Sequence, residues 1–152
     1  RKNIFPKNIH KIILSGIDND NAGFYRNCRV SISGSRVVLP NPVKVPTLMT
    51  EFFVWLNNAD KTSPLTAIEA HYRLVKIHPF VDGNGRCARL LMNLSLLQSG
   101  YNMTIIPPVV RTDYIRTIQE TNKNNFTPFT NFVSEMVLES QKEYLRIIER
   151  LK

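Results

Sequence analysis

Cysteine, acidic residues and long apolar runs are all scarce in this chain of 152 residues. The two cysteines, Cys28 and Cys87, form no metal-ligand spacing. Cys87 reads as a small helical residue without a redox role, and a reducing compartment, the cytoplasm, is the expected location. Polar residues break every apolar run, so no segment could span a bilayer. Repeats, low-complexity tracts and domain linkers are absent. Arg1 opens no signal peptide, and a chain that starts without methionine is read as a fragment of a longer protein. Asp and Glu number 12 against 20 Lys and Arg, a formal charge of +8. That balance raises nucleic-acid binding, but the basic residues are scattered, with Arg1, Lys2, Lys7 and Lys11 as the local cluster. No reading element accompanies them. The charge is therefore read as a solvated surface suited to polyphosphates and acidic targets, with neither nucleic acid nor membrane as partner.

What is present reads as one globular domain over residues 1–152, with 43% hydrophobic and 21% charged residues. The pattern is mainly helical. A short helix over Lys7–Leu14 ends near Gly16. After a polar loop, Val30–Ser33 and Arg36–Leu39 flank Gly34-Ser35, which predicts one small β-hairpin that Pro40, Pro42 and Pro46 close off. From Thr47 to Asn58, Leu48, Phe52, Trp55 and Leu56 share a helical face. Ser63-Pro64 caps a helix running to Ile77, with Leu65, Ile68, Tyr72 and Val75 inward and His71 as a buried core histidine. Further helices are expected over Arg86–Gln98, over Arg111–Asn122 and from Thr127-Pro128 to the end. The last carries one stripe of Phe129, Phe132, Val133, Met136, Val137, Tyr144, Ile147, Ile148 and Leu151. Core packing explains that stripe most simply; contact with a second copy, as a homodimer, is the alternative.

The chemistry concentrates in His78-Pro79-Phe80-Val81-Asp82-Gly83-Asn84-Gly85-Arg86-Cys87-Ala88-Arg89. An imidazole titrates near working pH and can take a proton from a hydroxyl. Asp82 offers the oxygen ligand that Mg²⁺ prefers when it travels with a nucleotide. Gly83, Asn84 and Gly85 let the backbone approach an anion with N–H groups aimed at it, at a helix N-terminus. Arg86 and Arg89, three apart, share a helical face where two guanidinium forks can grip a polyphosphate. Pro79 halts the preceding helix and leaves His78 at its end. Phe80 reads as an anchor beneath the loop.

This segment resembles the signature of the Fic family, H-P-F-x-[D/E]-G-N-G-R-x-x-R, at every specified position. Ala22-Gly23-Phe24-Tyr25-Arg26 is similar to the family's A-G-x-[YF]-R segment, and the likeness extends over roughly Ile9–Phe132. The resemblance implies a Fic-type helical bundle with a β-hairpin flap. It also implies transfer of AMP from ATP, with Mg²⁺, to a Ser, Thr or Tyr hydroxyl of a target protein, releasing pyrophosphate. By carry-over, His78 is the base and Asp82 the metal ligand. Gly83, Asn84 (with its side chain) and Gly85 steady the α-phosphate, and Arg86 and Arg89 bind the outer phosphates. Tyr114 and Asn122 stand where family members contact adenine and ribose. The flap, with Ile32, Ser33, Gly34, Ser35 and Val37, would clamp an extended target by strand addition.

One departure concerns regulation. The inhibitory helix of many members, [S/T]-x-x-x-E-[G/N], has no match here, since Ser134 and Glu139 stand one residue too far apart. It is expected upstream of Arg1, with a separate protein or an unregulated copy as alternatives. Other donors remain open: phosphorylation, UMP or phosphocholine transfer. Gly85 favours nucleotidylation, because the phosphorylating variant usually places lysine there. From a different class, an inert nucleotide-binding or partner-binding module would usually have lost the histidine or an arginine.

Overall fold

Prolines and capping side chains set where the helices start. The computed structural model describes residues 5–122 and 124–151. It contains α1 (Phe5–Leu14), α2 (Val45–Asn58), α3 (Pro64–Ile77), α4 (Asn84–Gln98), α5 (Arg111–Glu120) and α6 (Thr127–Arg150). Ser63 caps α3, its hydroxyl accepting from the Leu65 N–H at 3.3 Å, with Pro64 in the first turn. Asn41 caps a 3₁₀ turn, Pro42–Lys44, that leads into α2 two residues earlier than expected. α4 also starts two residues early, at Asn84, because Gly83 adopts the left-handed conformation (φ +77°) and serves as its N-cap. Of the expected basic cluster, Arg1 and Lys2 lie outside the described residues.

α3 is the central element, packed against α2, α4 and α6. Most of its circumference is therefore buried: Ala67, Ile68, Ala70, His71, Tyr72, Leu74 and Val75 face inward. Leu65, expected inward, is 54% exposed in the first turn. On α2 the seam runs through Val45, Met49, Phe52 and Phe53, with Trp55 and Leu56 at its edge; Leu48 is only half-buried. Phe80, Phe129, Leu14, Met49, Met92, Leu96 and Ile118 are fully buried, each contributing about 1.5–3 kcal/mol of transfer free energy. On α6 only Phe129, Val133 and Val137 are buried, while Tyr144, Ile147 and Ile148, and Leu151 just past its end, are exposed. Periodicity identifies the apolar face of a helix; it does not say that anything covers it.

The expected hairpin takes a different form. No strand ladder forms among the described residues. The chain turns at Ser33-Gly34, one residue earlier than expected, with the Ser35 N–H donating to the Ile32 carbonyl at 3.0 Å and Gly34 at φ +80°. Burial still alternates, with Ile32, Val37 and Leu39 half-buried and Ser31, Arg36 and Val38 outward. Other groups take the polar atoms that a ladder would need. The Arg36 N–H donates to Gln119 Oε1 (2.8 Å), the Val37 N–H to Ser35 Oγ (3.2 Å), and Arg111 to the Ser33 carbonyl (3.3 Å). The segment thus keeps its turn but no ladder between its limbs, and its tip is tied to α5, consistent with the marginal stability of a lone hairpin.

Candidate active site

His78 ends α3 in the left-handed region (φ 50°, ψ 62°), its N–H still bonded to the Leu74 carbonyl at 2.9 Å. The following proline bars continuation of the helix. Nδ1 lies 3.0 Å from the Val75 carbonyl. A carbonyl only accepts, so Nδ1 carries the proton and Nε2 keeps its lone pair, the tautomer a base needs. Burial lowers the His78 pKa most; the Val75 carbonyl opposes this, the Arg26 cation lowers it further and Asp82 raises it. The imidazole is therefore neutral near pH 7, with its Nε2 lone pair unprotonated.

The turn after His78 is built from within. Phe80 is fully buried and stacks on the His10 ring, centroids 3.7 Å apart and planes 3° from parallel. His10 Nδ1 accepts from the Gly23 N–H (2.8 Å), so its Nε2 donates to the Asp82 carbonyl (3.0 Å). A Cβ on Gly83 would stand 3.2 Å from the His10 ring, so the left-handed conformation favours glycine there and the space for a side chain is tight. The Asn84 side chain closes on the Phe80 backbone, accepting from its N–H and donating to its carbonyl, both at 2.9 Å. That side chain is committed to the loop, and what Asn84 offers an anion is its backbone N–H. With Gly85 and Arg86 it precedes the first closing bond of α4, from the Cys87 N–H to the Gly83 carbonyl. No side chain caps this end, leaving first-turn donors for an anion.

Two guanidinium groups flank these donors. Arg86 pairs with Asp82 at 2.8 Å, and the Asp82 carboxylate is 72% exposed. Arg89 lies over the turn, its Nη1 3.5 Å from where a Gly85 Cβ would stand, and has no ion-pair partner among the described residues. No cluster of three or more metal-ligating side chains occurs among the described residues. One exposed carboxylate suits Mg²⁺ only in company with phosphate oxygens, which is how this ion usually binds at nucleotide sites.

The remaining expected residues fall in different places. Tyr114 is 7% exposed and its hydroxyl lies 2.9 Å from His71 Nε2, so that hydroxyl belongs to the core; burial raises its pKa to about 12. His71 is itself fully buried, as expected. Asn122 is exposed, in a turn bridged to Asn125, and its Oδ1 accepts from the Asn124 N–H. Ile32, Ser33, Gly34, Ser35 and Val37 lie on the segment tied to α5, where Gly34 and Val37 border a groove of about 650 Å³ with Arg36, Lys76 and Gln119. Cys87 is buried and its thiol is pushed up to about 12, mainly by desolvation, which makes it inert. Glu139 pairs with Lys142 on the exposed part of α6.

Sequence reasoning missed His10 and gave Arg26 no role. His10 stands on a short amphipathic helix where nothing local marks it as different from a surface residue. Arg26 donates from Nε to the His78 carbonyl (2.7 Å), and its N–H donates to the Pro79 carbonyl (2.9 Å). A histidine and an arginine from the first 26 residues thus hold the loop from both ends.

The model of the Fic/DOC family matches residues 6–96. A curated relative from Drosophila grimshawi, named protein adenylyltransferase Fic, is 37% identical over 140 residues, covering 90% of this chain and 29% of the relative. Its counterpart of the same name from Drosophila virilis is 38% identical over the same length, with 28% of the relative covered. This chain therefore spans under a third of the length of these relatives. Among solved structures, Fic-1 (residues 134–508) from C. elegans superposes with a TM-score of 0.87 at 29% identity, over 100% of this chain and 45% of that one.

Proposed function

Since this chain belongs to the Fic/DOC family, we propose that it transfers the AMP moiety of ATP to a hydroxyl of a target protein, with pyrophosphate as leaving group. The observation that carries this reading is the juxtaposition of His78, whose Nε2 is left unprotonated, with a turn of open N–H donors and two arginines. The curated relatives named protein adenylyltransferase support it.

Phosphoryl-type transfer depends on positioning and charge neutralisation more than on covalent work by the protein. His78 Nε2 takes the proton as the target's oxygen forms its bond to the α-phosphorus, and the α–β bridging oxygen leaves with pyrophosphate. The N–H groups of Asn84, Gly85 and Arg86 face the charge that grows on the α-phosphate. Arg86 and Arg89 hold the outer phosphates and steady the leaving group. Asp82 is the residue that would hold Mg²⁺, an ion that neutralises phosphate charge when bound. Arg86, paired with Asp82 in this structure, must then exchange the carboxylate for phosphate.

The 30–39 segment would receive an extended stretch of the target, supported by its alternating burial and the absence of a ladder between its own limbs. Arg89, with no ion-pair partner among the described residues, is the group an inhibitory glutamate, in cis or in trans, would reach. The exposed apolar end of α6 is compatible with a homodimer. No helix among the described residues is long and apolar enough to cross a membrane. Intact-mass spectrometry after incubation of the chain and a lysate with Mg²⁺ and ATP tests the proposal. A gain of an adenylyl group supports it, whereas a gain of a phosphoryl group alone would make this a kinase.

A further inference from the structure

Arg26 is a buried cation without an anion. Its side chain belongs to a residue only 3% exposed, and no carboxylate pairs with it among the described residues. The guanidinium instead donates to three main-chain carbonyls: Nε to His78 at 2.7 Å, Nη1 to Cys28 at 2.9 Å and Nη2 to Pro40 at 2.7 Å. Removing such a charge from water is costly unless its donors are satisfied. A planar, rigid fork of five donors can hold three separate acceptors in fixed relation, which a compact ammonium on a flexible stem does poorly.

The identity of those acceptors gives the arrangement its meaning. Cys28 and Pro40 are the two feet of the 30–39 segment, and His78 is the base. The far end of that segment is tied to α5 through Gln119 and Arg111, so its feet are fixed by Arg26 and its tip by α5. Beyond Pro79, whose carbonyl accepts from the Arg26 main-chain N–H that any side-chain replacement keeps, the phosphate turn is held by His10 and Asn84.

We infer that Arg26 is a positioning residue that locks both feet of the 30–39 flap to the backbone of His78, so that seating a target segment and aiming the base are one event. This rests on the reading of 30–39 as the target flap and of His78 as the base. It separates two parts of the site: disturbing Arg26 impairs the acceptor side of the reaction and spares the nucleotide side.

The test uses Arg26→Lys and Arg26→Gln in the whole chain, with the folded fraction followed by circular dichroism. Calorimetric titration with MgATP should give parental affinity for the folded protein. AMP transfer should fall by about 100-fold, the scale expected when a reacting group is misplaced by about 1 Å, and the KM for an acceptor protein should rise. Parental transfer, or transfer and ATP binding lost together in step with the folded fraction, would overturn the inference. If both variants fail to fold, a second one keeps Arg26 and replaces residues 31–38 by a Gly/Ser linker. Coupling through Arg26 then predicts that the ring resonances of His78 shift, although none of the replaced residues hydrogen-bonds it; unmoved resonances contradict the coupling. Should the parent chain transfer nothing from ATP, the adenylyl-transfer reading fails, while the resonance measurement still decides the coupling.

Discussion

His10 donates from Nε2 to the main-chain carbonyl of Asp82 at 3.0 Å, across 72 residues of sequence. Because its other nitrogen accepts from Gly23, the ring joins the N-terminal segment to the phosphate turn as a neutral bridge. His10→Ala leaves Phe80 without its stacked partner and two main-chain groups unpaired. Stability should fall by about 2–4 kcal/mol in denaturant unfolding. ATP affinity of the folded fraction should weaken as well, since the turn loses its seat. His10→Gln, which can both accept and donate, should recover part of both.

Gly83 separates backbone strain from steric conflict. Gly83→Ala forces a positive φ on alanine and sets its Cβ 3.2 Å from the His10 ring. Gly34→Ala meets open space at a similar φ of +80°. Left-handed alanine costs about 1–2 kcal/mol in either position, so thermal unfolding should show the larger loss for Gly83→Ala. Only Gly83→Ala should also weaken ATP binding.

The pH dependence follows from three histidines whose pKa values all lie below the ordinary 6.5. Burial is the main cause at His10, His71 and His78, and His71 reaches about 3. A depressed histidine contributes stability that is present above the unfolded-state pKa and lost as pH falls, because the unfolded chain binds the proton first. Each such group steepens the loss by up to about 1.4 kcal/mol per pH unit. Unfolding midpoints should therefore drop between pH 6.5 and 4.5, before most carboxylates titrate. For the reaction, the acid limb of the rate profile should fall below pH 6.5, since the base works only when deprotonated. An acid limb at or above pH 6.5 would contradict the buried, Arg26-facing environment of His78.

Much of this was legible in the chain because the decisive residues are contiguous. The twelve residues from His78 to Arg89 carry their own turn, helix start and spacing, so the histidine, carboxylate and arginines could be singled out as a group without the fold. The contacts that hold them could not be, since His10 and Arg26 act across 72 and 52 residues. The turn in 30–39 was legible to within one residue, from its glycine, yet the ladder did not follow, because Gln119 and Arg111 on a distant helix take the tip's polar groups. On α6 the 3.6-residue stripe was legible throughout, but only its first half is buried by the body. Asn84 was expected to present its side chain to a phosphate; the structure spends that amide on Phe80.

Tyr114 offers a separate check on packing. Its hydroxyl sits in the core against His71, so Tyr114→Phe should cost about 1 kcal/mol for the lost buried hydrogen bond. ATP affinity should not change, because the hydroxyl faces the core. Weaker ATP binding in this variant at full folding would show that the hydroxyl reaches the ligand.

The central claim is that His78 activates a hydroxyl for attack on the α-phosphorus. The most direct measurement supplies the chain with Mg²⁺ and ATP labelled at either the α- or the γ-phosphate, alongside His78→Ala, and follows protein-bound label on the chain and in a lysate. The account predicts label from the α-position only, reduced by roughly 10²–10⁴-fold in His78→Ala, with that variant still folded. Label from the γ-position, or α-label that survives in His78→Ala, would contradict it.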